Sequence, residues 1–163
     1  MRRYAAAASL SLILAACSDR PTPSPLKGAW DAQVQFTSGP FATVRDLEFM
    51  YIVHADGTLT ESSNYDAAPP VPPAYGVWRE TSPGHFQAHY EFYLTKAPEA
   101  GASLASGWGP AGRGLLEESI SLAPDGRSFT SALHLQILDA NGRPTSDIGE
   151  ARTRAVRITF PAT

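Results

Sequence analysis

Cysteine occurs once, at Cys17, so no disulfide can form within the chain and the fold must be held by its core. Lysine occurs only twice, at Lys27 and Lys96, and the formal net charge is −3. Phosphate binding needs clustered positive charge, which argues against nucleic acid as a partner. The apolar run Tyr4 to Leu14 has 11 residues, well short of the roughly 20 that span a bilayer as a helix. Glycine and proline are plentiful instead, at 13 and 14 of 163 residues, which argues against a helical bundle. With 43% hydrophobic and 10% aromatic residues the chain has the material for a core and does not read as disordered. Its length suits one domain.

Arg2 and Arg3 precede the short apolar run, the pattern of an export signal over residues 1–16. The run ends in Leu14-Ala15-Ala16-Cys17, which resembles the lipobox of bacterial lipoproteins. That resemblance implies cleavage before Cys17, acylation of its sulfur and new amine, and membrane attachment through the lipid. Buried acyl chains contribute roughly 0.8 kcal/mol per methylene, so several of them anchor stably. Ser18 follows the cysteine in place of an inner-membrane-retaining aspartate, which favours the outer membrane facing the periplasm. Residues 17–26, with Pro21, Pro23 and Pro25, read as an extended tether, and 27–163 as the folded domain.

Period-2 alternation dominates the domain and predicts eight strands. They cover Gly28–Phe36, Val44–His54, Thr58–Asn64, Tyr75–Glu80, His85–Thr95, Leu115–Leu122, Phe129–Leu138 and Asp147–Phe160. Asp56-Gly57, Asp125-Gly126 and Asn141-Gly142 are hairpin signals, the last for a type I′ turn. Pro69, Pro70, Pro72 and Pro73 make the stretch from Asp66 to Ala74 a loop, and Ala97–Gly112 reads as a second loop with at most one helical turn. Eight antiparallel strands joined mainly by short turns predict an all-β, up-and-down barrel, with a two-sheet sandwich as the alternative.

Gly28-Ala29-Trp30 at the opening of the first strand resembles the Gly-x-Trp of lipocalins and the wider calycin group. The resemblance implies that Trp30 plugs one end of the barrel and that an arginine of the last strand, here Arg157, packs over it. It also implies a small hydrophobic or amphipathic ligand in the barrel, for which Phe49, Tyr51, Trp78, Tyr90, Phe92 and Glu118 are the candidate lining. The same rings can equally fill the barrel as core.

Catalytic and metal motifs do not assemble. Gly107 to Gly112 spells G-x-G-x-x-G, but Pro110 removes a donor and a strand follows where a helix is needed. His85 and His89 are four apart, about 13 Å along a strand, too far for one metal. Gly101-Ala102-Ser103-Leu104-Ala105 breaks the nucleophile-elbow pattern at its last position. Glu117 and Glu118 face opposite ways on a strand. Glu118 shares the parity of Leu116 and Ile120, and Arg152 and Arg154, with Val156, Ile158 and Phe160, form the face expected to meet it. The preferred alternative is an open barrel end where these charges are solvated.

No catalytic residue, metal or cofactor is expected. The leading expectation is a membrane-anchored ligand-binding barrel. A cyclase or isomerase resembling the allene oxide cyclases, with Glu118 as its buried polar group, and a solid barrel acting through its surface are the alternatives.

Overall fold

The computed structural model describes residues 24–65, 72–98 and 108–161. The expected export signal, Cys17 and most of the tether lie outside the described residues. The domain is a closed antiparallel barrel of eight strands in sequential order: β1 (Gly28–Phe36), β2 (Leu47–Val53), β3 (Thr58–Ser63), β4 (Ala74–Ser82), β5 (His85–Lys96), β6 (Gly109–Leu122), β7 (Ser128–Leu138) and β8 (Pro144–Arg157). It closes between the first and last strands, with Trp30 opposite Arg157 and Phe36 opposite Ala151. Closure pairs both outer strands of the meander, so neither presents an open edge.

Alternation decides which side chains enter the barrel. On β1 these are Trp30, Ala32, Val34 and Phe36, and on β2 Leu47, Phe49, Tyr51 and Val53. On β5, Phe86, Ala88, Tyr90 and Phe92 point inward, and on β7, Phe129, Leu133 and Leu135. Small residues offset these large ones. Gly114 on β6 sits against the Phe92 ring, in the space a Cβ would need.

The connections alternate between two ends. The hairpins at 54–57, 83–84 and 123–127 share one end with the start of β1. The other end, the mouth, carries the β1–β2, β3–β4, β5–β6 and β7–β8 connections.

Four expectations need correction. The Asp-Gly and Asn-Gly hairpins are not type I′, because Asp46 is the one non-glycine residue with positive φ among those described. In each hairpin the glycine alone has positive φ, 88° at Gly57, 67° at Gly126 and 77° at Gly142. A carboxylate two residues before the donating N–H holds each turn: Asp56 accepts from Thr58, Asp125 from Arg127 and Asp139 from Asn141. Second, residues 109–112 belong to β6, paired with the end of β5 across an irregularity at Leu94/Thr95. Third, β8 runs from Pro144 to Arg157 instead of from 147 to 160, and β2 begins at Leu47 instead of Val44. Fourth, the inward face of β8 is Ala151, Thr153 and Ala155. Arg152, Arg154 and Val156 point outward, and Ile158 and Phe160 beyond the strand are also exposed. The cause is register: Ala155 lies opposite Ala32 and Thr153 opposite Val34, both inward residues of β1.

Candidate functional site

The closed end is built around Trp30, which is wholly buried. Its indole N–H donates to the Leu26 carbonyl at 2.9 Å, and Leu26, at the end of the expected tether, is itself 1% exposed. Phe129 meets the indole edge-on, with ring centroids 5.0 Å apart. The Arg157 guanidinium lies 4.2 Å from the Trp30 ring centroid, within cation–π range. The same guanidinium donates to the carbonyls of Gly126, Lys27 and Pro25 at 2.9, 2.7 and 2.6 Å. Gly28 explains the glycine of Gly-x-Trp: its φ is 136°, and an added Cβ would sit 2.5 Å from Arg157 Nη1.

Above this end the interior carries a polar cluster. Glu118, 2% exposed, accepts from the Tyr90 hydroxyl at 2.9 Å and from the Ser131 hydroxyl. Tyr51 and Tyr90 bring their hydroxyls within 3.4 Å of each other. Glu61 on β3 is opposite Tyr51 in the register and 5% exposed, yet its Oε1 has no hydrogen-bond partner. Thr153 Oγ1 is likewise unpartnered. No lysine, arginine or histidine is buried among the described residues.

Burial without a cation raises both carboxyl pKa values. Glu61 is pushed up to about 8, first by desolvation and then by the charge of Glu118. Glu118 is raised by desolvation, against the opposing hydrogen bonds of Ser131, Tyr90 and Tyr51. Burial and the neighbouring carboxyls push Tyr51 and Tyr90 well above the ordinary tyrosine value, so both remain neutral donors.

Towards the mouth lies an apolar cavity of about 40 Å³. Its wall includes Phe36, Phe41, Leu47, Phe49 and Phe92, with Glu61 as the one carboxyl among the described residues. This volume holds a few water-sized groups and not a whole ligand.

The expected lining residues therefore separate into groups. Phe49 and Phe92 line the mouth cavity, whereas Tyr51, Tyr90 and Glu118 lie deeper in the hydroxyl–carboxyl cluster. Trp78 belongs to the opposite end: its indole donates to the His54 carbonyl at 3.0 Å and its ring packs on Phe86. Arg152 and Arg154 do not meet Glu118, and Glu118 is not solvated at an open end. Both Glu118 oxygens have hydroxyl partners, which leaves it less suited to a catalytic role than a free carboxyl. Sequence reasoning missed Glu61. The signal was there, since Glu61 shares the parity of Leu59, the one large aliphatic of β3.

On the outer wall, His89, Glu117, His134 and Glu150 stand in one row across β5 to β8. His134 Nδ1 is 2.7 Å from Glu150 and His89 Nδ1 3.9 Å from Glu117. Among the described residues no group of three such side chains is placed to hold a metal ion.

Comparison with protein-family models and with curated protein sequences finds no match to the chain.

Proposed function

We propose that the chain is a lipid-anchored protein of the bacterial envelope, with a lipocalin-like barrel that binds one end of a small hydrophobic or amphipathic molecule. The observation that carries the binding reading is the mouth cavity, where phenylalanines surround the buried carboxyl of Glu61, which has an unpartnered oxygen. Ligand sites are largely apolar with a few placed polar groups, and this mouth has that composition. The cavity of about 40 Å³ limits the inserted part to a terminal group, with the remainder of the molecule resting on the mouth. The Gly28–Trp30–Arg157 arrangement supports the lipocalin-like reading, and Leu14-Ala15-Ala16-Cys17 supports the anchor.

The test is to purify the full chain from membranes and subject it to native mass spectrometry and organic extraction. A co-purifying small molecule bound one per barrel is expected. An empty protein under conditions that preserve the fold favours the second reading, a barrel filled by its own side chains and acting through its surface. The tight burial of Trp30, Tyr90, Phe86, Leu133 and Leu135 is the observation on that side.

A further inference from the structure

The interior of the barrel holds two carboxyls and, among the described residues, no cation to balance either one when it ionises. Glu61 and Glu118 are both buried, and no described cation is buried with them. Glu118 is already served by Tyr90 and Ser131, whereas Glu61 presents a free oxygen and lines the mouth cavity.

Three head-group chemistries fare differently at that oxygen. A purely apolar group leaves it unpaired, so its desolvation penalty persists. Once Glu61 ionises, an acidic group adds a second negative charge beside it with no described cation buried there to balance the two, because Arg152 and Arg154 lie on the outer wall. An ammonium group is compact, carries three donors and supplies the missing charge. A bare metal ion would need several oxygen ligands, and the described residues of the cavity wall offer one carboxyl.

We propose that the mouth of the barrel binds a small organic amine, its ammonium group paired with Glu61 between Phe36, Phe49 and Phe92 and its apolar body resting on the mouth. This rests on the ligand-binding reading above and narrows the ligand to a cationic class. Phenylalanine rings line the cavity, and the face of an aromatic ring attracts a cation.

The pairing has a proton balance. Glu61 holds its proton to about pH 8, and the ionisable groups facing it are Glu118 on β6, Tyr51 on β2, Tyr90 on β5 and Tyr65 after β3. Binding of an ammonium ion requires the carboxylate, so below that pH each amine bound releases one proton to water. Amine affinity therefore rises about tenfold per pH unit up to about 8. It levels off until the amine itself deprotonates, near 10.4 for an alkylamine such as lysine.

The test titrates hexylamine, hexan-1-ol and hexanoate into the full chain held in phosphatidylcholine nanodiscs, with empty nanodiscs as the blank. At pH 8.5 we expect hexylamine to bind at least tenfold more tightly than hexan-1-ol, and hexanoate no more tightly than hexan-1-ol. Hexylamine affinity should fall about tenfold per unit below about pH 8, a readout that needs no variant. Glu61→Gln should abolish the amine preference, so that hexylamine binds that variant no more tightly than hexan-1-ol does. Equal binding of amine and alcohol, or an amine preference that survives Glu61→Gln, overturns the proposal while leaving the ligand-binding reading in place. If none of the three binds, the amine proposal falls, and the ligand-binding reading is decided by the co-purification test above.

Discussion

Glu61 and Glu118 keep their protons above the usual carboxyl range because water is excluded and no cation replaces it. In an unfolded chain a glutamate ionises near 4.3, whereas Glu61 in the barrel does so at about 8. Between those values the native state binds the extra proton. Stability therefore falls as pH rises through this window, by up to about 1.4 kcal/mol per unit for one group, and levels off above it. Glu118 adds a contribution of the same sign. Urea denaturation at pH 5, 6.5 and 8 should show this decline, and Glu61→Gln should flatten much of it; stability rising from pH 5 to 8 would contradict the assignment. At the closed end, Trp30→Ala removes the largest fully buried side chain and deprives Arg157 of the ring it covers. A loss of roughly 3–5 kcal/mol is expected. A measured loss below about 1 kcal/mol would mean that the barrel closes without it.

The elements show where local rules stop. Alternation within β1, β5 and β7 is enough to separate inward from outward residues, because each has large apolar groups on one side and polar groups on the other. β8 reads the wrong way round: Val156, with Ile158 and Phe160 just beyond the strand, outweighs the small Ala151, Thr153 and Ala155 in any sum of hydrophobicity. Bulk across the barrel reverses that choice, since small residues there leave room for the aromatics of the other strands. Gly28 is a similar case at the strand start. Gly28→Ala has to adopt a φ of 136° and displace Arg157, so it should cost well over 1 kcal/mol. Gly126→Ala also faces a positive φ, but nothing lies within 4 Å of its Cβ, and it should cost less. Thermal melts of the two variants side by side check the order; an equal loss would assign the whole effect to backbone conformation and none to Arg157.

For the whole molecule, the proposed anchor and the barrel are separable in experiment. Cys17→Ala should move the protein out of the membrane fraction, or leave it as uncleaved precursor, without altering the melting of the barrel. Fractionation and mass measurement of the processed chain check this, and unchanged processing with unchanged membrane association would remove the lipid anchor from the account. The sequence by itself determined the all-β class, the number of strands and the up-and-down order, because these depend on period-2 patterning and on turn residues close together in the chain. The expected Trp30–Arg157 pair also came from sequence, through a resemblance. Only the tertiary structure decided which candidates share a space. Phe49 and Phe92 gather at the mouth, Tyr51 and Tyr90 meet Glu118, and Trp78 goes to the other end. It also brought Glu61 to the cavity and sent Arg152 and Arg154 outside. These outcomes depend on register between strands far apart in the chain, and a shift of one residue in pairing exchanges the inner and outer faces of a strand. Local periodicity marks the inward face of a strand, as the parity of Glu61 with Leu59 does, but which inward residues meet across the barrel could be read only after it closed.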